Sequence, residues 1–215
     1  MIQKDQSHTE SPDAKMSGLF YFKPLSIMTV DSILKTVEKE AISTFSLLDG
    51  WFDEEQAVLD YRPQAEAQNA HEILVHAMLT CSNLMKEVEK GSACALECAD
   101  ENEAFDWNQY TLLPKEVIEA RDLPYYYALP LPGAKVKDVF PIDNVRMSLR
   151  AQLLKCLEQL DKLQNGEGVR YKIFHGDFGI GDLDLYQYLY FLTQYGKWQL
   201  DQLRHNKKEY LSLNA

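Results

Sequence analysis

Val145, Leu149, Leu153, Cys156, Leu160 and Leu163 recur in steps of four, four, three, four and three. Only an α-helix with one face turned to a core gathers such positions into a stripe, because a turn takes about 3.6 residues. The stripe predicts a helix over residues 143–164, closed by Asn165 and Gly166. Three further segments carry the same period. The first starts at Thr29 or Asp31, either of which can cap it, carries Leu34, Val37, Ala41, Phe45 and Leu48, and stops at Gly50. The second opens with Asn69 and, three residues on, Glu72, a reciprocal capping pattern. Its stripe is Ile73, His76 with Ala77, Thr80 with Cys81, Leu84 and Val88, and Gly91 closes it. His76 therefore points at the core. His71 lies about 140° around the helix from it, so the two cannot share a metal on a straight helix.

The fourth helix is expected over residues 182–206, with Asp182 as cap and Asp184 in the first turn, where the helix dipole favours negative charge. One face carries Tyr188, Leu192, Tyr195, Gln199 and Gln202, and its neighbour carries Leu185, Leu189, Gly196, Leu200 and Leu203. Apolar material on more than one face predicts the most buried helix of the set. Gly196 in its interior predicts a close helix contact, and Lys207 and Lys208 fall at the negative end of the dipole. Four long amphipathic helices specify an all-α fold, a four-helix bundle with a long irregular crossover between helices 2 and 3.

That crossover covers residues 92–141, with Pro114 opening a short helix over 115–121 and a Tyr- and Pro-rich strap over 123–141. The strap reads as a connection packed against the bundle, or as a pocket wall. Residues 169–174 read as extended. Trp51 and Phe52 read as an apolar lid on one bundle end. Residues 1–18 have no apolar period and are expected to form a disordered tail, with Met16 as an alternative start; residues 18–28 are apolar and drape over the core.

With 22 Lys+Arg against 33 Asp+Glu the formal charge is −11, which repels nucleic acid and anionic lipid, and no Lys/Arg cluster offsets it. No apolar run reaches the roughly 18 residues of a membrane helix, and the N-terminus is polar, so a cytoplasmic protein is expected. There Cys81, Cys94, Cys98 and Cys156 should be reduced thiols. Cys94 and Cys98 lack the second Cys/His pair of a structural zinc site.

Two short patterns carry a resemblance. Ala70-His71-Glu72-Ile73-Leu74-Val75-His76 is similar to the second-helix motif of the DinB/YfiT-like superfamily, and His175-Gly176-Asp177-Phe178-Gly179-Ile180-Gly181-Asp182 is similar to the segment before its fourth helix. The resemblance implies that residues 19–215 form one DinB-like bundle domain. In many members the second-helix His joins two fourth-helix His at i and i+4 to hold a divalent metal open to water or a thiol substrate. On that pattern Tyr195 and Gln199 stand where the two histidines would be, while Leu200 and Gln202 still match. A lone imidazole with a phenol and an amide holds zinc or nickel poorly.

The expected protein is thus a divergent member with no bound cofactor, acting as a small-molecule-binding or structural protein, with His76, Tyr195 and Gln199 as a mutually satisfied polar cluster or pocket lining. The alternative is a metal-dependent thiol transferase, isomerase or hydrolase, its zinc or nickel held by His76 and His175 with Asp177 or Asp182. His175 is also placed to fix the start of the fourth helix by hydrogen bonding. No nucleophilic triad and no phosphate-binding loop is present in the sequence. Trp51, Phe52, Trp107 and Tyr125, Tyr126 and Tyr127 are candidates for a homodimer patch.

Overall fold

The computed structural model describes residues 28–63, 67–97, 105–113, 136–175 and 181–214. The tail, the alternative start, the helix after Pro114, Cys98, Asp177 and most of the Tyr- and Pro-rich strap lie outside the described residues. Helices dominate: α1 (Val30–Gly50), α2 (Gln56–Asp60), α3 (Ala70–Glu97), α4 (Val136–Val139), α5 (Ile142–Lys162) and α6 (Leu185–Leu213). Single 3₁₀ turns occupy Trp51–Asp53, Trp107–Gln109 and Glu167–Arg170. An antiparallel hairpin, β1 (Lys172–His175) with β2 (Gly181–Asp184), pairs Phe174 with Asp182 and His175 with Gly181.

Three of the four long helices start where side chains satisfy the orphan amides of a first turn, whereas α5 follows Pro141 with no side-chain cap. Thr29 and Ser32 cap α1 reciprocally. Asn69 and Glu72 do the same for α3 at 2.9 and 3.0 Å, and Asp184 with Gln187 for α6. The four long helices then close a ring: α1 lies against α5 and α6, and α3 against the same two. Their inward stripes, with Ile33, Leu74, Met85, Phe191 and Leu192 sealed from solvent, make one core. No helix among the described residues is long and apolar enough to cross a membrane.

Several expectations need correction. Gly91 does not end α3, which runs on to Glu97, so residues 92–97 are helical rather than irregular. A Cβ at Gly91 would meet Leu185 and the Tyr171 ring at 2.8 Å, so the glycine serves a close approach inside the helix. Asp182 is not the cap of the fourth helix; it belongs to β2, and Asp184 is the cap. That helix also continues past residue 206 to Leu213, so Lys207 is not at its end; its Nζ reaches Glu54 at 2.6 Å and sits over the Trp51 ring. Gln202 is exposed, and α3 buries more of its residues than α6 does. Residues 169–174 are extended only in part, since Glu167–Arg170 is a 3₁₀ turn.

Trp51 and Phe52 do close one end of the helices. Trp51 is buried, and Arg146 lies over the Phe52 ring while binding Asp49 and Asp53. Hydrogen bonds from the Arg150 and then the Arg146 guanidinium hold the Asp49 carboxyl well below the usual carboxylate range. They offset a negative charge placed at the unfavourable C-terminal end of α1.

Two helical glycines respond oppositely to the same change. Gly50 has ordinary helical angles (φ −61°) and open space where a Cβ would go. A Cβ at Gly196 would lie 2.7 Å from Thr44 Cγ2. Gly50→Ala is therefore expected to stabilise by about 0.5–1 kcal/mol, and Gly196→Ala to destabilise by about 1–3 kcal/mol despite its better helix propensity. Urea unfolding of the two variants checks this; equal signs would contradict the packing of α1 on α6.

Candidate functional site

The antiparallel packing of α3 on α6 brings together three residues that lie far apart in sequence. His76 is 3 % exposed, Tyr195 3 % and Gln199 4 %, so all three are core polar groups. The Tyr195 hydroxyl lies 2.8 Å from His76 Nδ1 and 3.1 Å from Thr80 Oγ1. A phenol has one proton, so two proton arrangements satisfy this geometry. Either Tyr195 donates to a bare Nδ1 while Thr80 donates to the phenol oxygen, or Nδ1–H donates to Tyr195, which donates to Thr80. Burial lowers the His76 proton affinity below its ordinary value, and the Gln199 side chain partly opposes this by hydrogen bonding. That second contact is loose: Gln199 Oε1 forms no full hydrogen bond among the described residues. A neutral imidazole in a buried cluster is the result. Because the unfolded chain binds a proton on this imidazole more readily, its contribution to stability is lost as pH falls below about 6.5.

Next to this cluster the α3–α6 surface opens. Ile73, one turn before His76, joins Gln68, Trp198, Asp201, Gln202 and Asn206 around a cleft of about 440 Å³. Trp198 is held edge-on against Phe191 and Tyr195, with ring centroids 6.1 and 6.2 Å away. Asn206 Nδ2 donates to the Gln68 carbonyl oxygen at 2.8 Å and ties the residues before α3 to α6. Gln68 Oε1 is sealed from solvent with no hydrogen-bond donor among the described residues.

Comparison with protein-family models, curated proteins and solved structures returns no match. The site therefore rests on its own chemistry. Among the described residues no three His, Cys, Asp or Glu side chains converge. His76 faces a phenol, a hydroxyl and an amide, a donor set that suits hydrogen bonding better than zinc or nickel. His71 is buried on a different face and donates from Nε2 to the Phe140 carbonyl at 2.9 Å, anchoring the residues ahead of α5. His175 sits in β1 opposite Gly181, and its side chain lies outside the described residues, as does Asp177; Asp182 is exposed in β2. Cys81 and Cys156 are buried thiols pushed up to about 12 by burial, and Cys94 is partly exposed; all three are free. Of the aromatics expected on a patch, Trp51 is a core residue and Trp107 stacks against Phe105 and Tyr110; the tyrosines at 125–127 lie outside the described residues.

Thr80 belongs to the cluster although the motif does not point to it; its place four residues after His76, on the same helical face, is the signal that finds it. Gln68 and Trp198 carry no such signal, since nothing local places them on one cleft.

A second buried ionisable group sets the start of α6. Asp184 is 4 % exposed and caps α6 while accepting a hydrogen bond from the Tyr110 hydroxyl at 3.0 Å. Burial raises its carboxyl from 3.8 to about 6, against the pull of the Gln187 amide and Tyr110. Between those values the native chain holds a proton that the unfolded chain releases, so this group favours folding most at low pH and less as pH rises through about 6. Asp184→Asn keeps a good cap without the charge. It is expected to stabilise by about 1–3 kcal/mol at pH near 8 and little near pH 4. Urea unfolding at both values tests this; the same shift at both would refute the assignment.

Proposed function

We propose that the chain is a metal-free member of the DinB/YfiT-like superfamily, a four-helix bundle that binds a small molecule in the cleft between α3 and α6. The closed ring of four long helices supports the bundle type, as does the long connection between α3 and α5. One observation carries the functional reading: His76 Nδ1 lies 2.8 Å from the phenol of Tyr195, with Gln199 one turn further along α6. The resemblance calls for three imidazoles at these places. One imidazole, one phenol and one amide stand there instead, with Thr80 completing the hydrogen bonds. Such a cluster rigidifies a helix contact and shapes the floor beside a pocket, and it leaves the cleft as the concave site with converging polar groups.

Metal analysis of protein purified without chelator and without metal-affinity resin tests the reading. Substoichiometric metal with intact helical structure is expected. One equivalent of zinc, nickel or iron per chain overturns it.

A further inference from the structure

We propose that the cavity between α2, the start of α3 and α4 binds a small zwitterion of the amino-acid type, its ammonium group held by His71 and Asp60 and its carboxylate by Lys137. The cavity shares no residue with the α3–α6 cleft, so the proposal stands apart from the reading of that cleft and of the cluster beside it. It encloses about 430 Å³, within the roughly 300–1,000 Å³ of small-molecule sites.

His71 marks it as a site. The residue is 6 % exposed, and polar side chains buried to that degree normally have their hydrogen bonds filled. Nε2 carries the ring hydrogen, because it lies 2.9 Å from the Phe140 carbonyl oxygen and a carbonyl only accepts. In the neutral ring Nδ1 is then a bare acceptor. It has no hydrogen-bond partner among the described residues, and it is not closed off from solvent as Gln68 Oε1 and Gln152 Oε1 are. Its lone pair therefore opens on the cavity that the ring lines, with the ring held in place through the far nitrogen.

The charges of the cavity divide into a used and an unused set. Arg62 is committed, since it donates to the Ala67 carbonyl and pairs with Glu72 at 2.6 Å, and Glu72 also accepts from the Asn69 amide. Those groups form the frame. Asp60, the last residue of α2, and Lys137, in α4, are exposed and make no ion pair or hydrogen bond among the described residues. The cavity thus offers one unused carboxylate, one unused ammonium and one fixed acceptor.

This set selects among ligand charges. A simple anion gains from Lys137 but meets Asp60 and the Nδ1 lone pair, in a chain of net charge −11. A simple cation gains from the two acceptors but meets Lys137. A zwitterion answers all three groups. Its ammonium has three hydrogens to share between Nδ1 and Asp60, and its carboxylate completes Lys137. Asn69 puts the start of α3 in the wall, and the positive end of that helix dipole also favours a carboxylate.

The test is titration of the full chain with L-alanine and, separately, with L-lactate, which replaces the ammonium by a hydroxyl, and with isopropylamine, which replaces the carboxylate by a methyl group. The readout is the His71 Nδ1 signal in a long-range ¹H–¹⁵N spectrum. It is assigned by through-bond correlation from the residue's own backbone, so no variant of this buried side chain is needed. A bare ring nitrogen moves toward its protonated position on accepting a hydrogen bond. L-Alanine is expected to move the signal saturably, with half-saturation at about millimolar concentration for a ligand of this size. L-Lactate and isopropylamine should each bind at least about tenfold more weakly. Asp60→Asn and Lys137→Gln, both at exposed positions, should each weaken L-alanine about tenfold with helical content unchanged. No saturable movement of the Nδ1 signal with L-alanine, equal binding of L-lactate or isopropylamine, or an unchanged affinity in either variant would each overturn the inference.

Discussion

Tyr195→His combined with Gln199→His is expected to bind one zinc or nickel ion per chain, where the parent protein is expected to bind none tightly. Positions 195 and 199 are four apart on α6, so their side chains leave the same face about 6 Å apart along the axis. Both meet His76 across the α3 contact, and the present 2.8 Å between its Nδ1 and the Tyr195 hydroxyl shows that the residue at 195 reaches it. Three neutral imidazoles converging there supply nitrogens at the roughly 2.0–2.1 Å that zinc prefers and leave a fourth position open. Without metal the double variant should lose about 1–3 kcal/mol, because the hydrogen bonds to His76 and Thr80 are broken in a buried site. Metal in hundredfold excess over its dissociation constant should restore about 2.7 kcal/mol. Binding should fail on acidification below about pH 6.5, as the imidazoles take up protons. Metal content and thermal melting with and without zinc measure both effects. A variant with native helical content that binds no metal would refute the proposed correspondence of positions.

The second large effect is expected at Tyr186. This residue is fully buried where the end of α5, the 3₁₀ turn at Glu167–Arg170 and the start of α6 meet. Its hydroxyl donates to the carbonyl of Leu163, the C-terminal cap residue of α5, and backbone groups of Gly166 and Gly168 also reach its oxygen. The carbonyls of a last helical turn have no partner within the helix, so the phenol supplies what the chain cannot supply locally. A Cβ at Gly168 would lie 2.6 Å from the ring, which leaves glycine as the residue that fits beneath it. Tyr186→Phe keeps the packing and loses the hydrogen bonds, an expected cost of about 1–2 kcal/mol. Tyr186→Ala also opens a cavity, and about 3–5 kcal/mol should be lost. Urea unfolding followed by circular dichroism reads both. Equal costs for the two variants would mean that the ring contributes nothing beyond its hydroxyl.

Much of the helical framework is legible along the chain. The stripe from Val145 to Leu163, the pairing of Asn69 with Glu72 and the small residue at 196 each encode a local or one-face property, and periodicity and capping depend on residues within a turn or two. The hairpin is less legible because β1 and β2 have four residues each and show no sustained alternation. Asp182 and Asp184 are equally good caps by type. The choice of Asp184 is made by Phe174, which pairs with residue 182, and by Tyr110, which donates to residue 184. Gly91 reads as a helix end by residue type; inside the fold it is the gap that admits Leu185 and Tyr171.

The candidate site divides in the same way. His76, Tyr195 and Gln199 are marked by a pattern of residue types, and the i,i+4 spacing of the last two puts them on one helical face whatever surrounds it. What the sequence alone determined is therefore a set of helices, their starts to within a turn and the faces they must bury, since these follow from steric and hydrogen-bonding rules acting over a few residues. Only the tertiary structure decided that Tyr195 closes on His76 and Thr80, that Gln68 meets Trp198 and Asp201 across a cleft, and that Tyr186 finishes another helix. The hydrogen bonds among them join residues separated by 23 to 119 positions, and all these contacts depend on how two helices slide and rotate against each other. That relation is set by the packing of the whole core and not by any stretch of chain that can be read on its own.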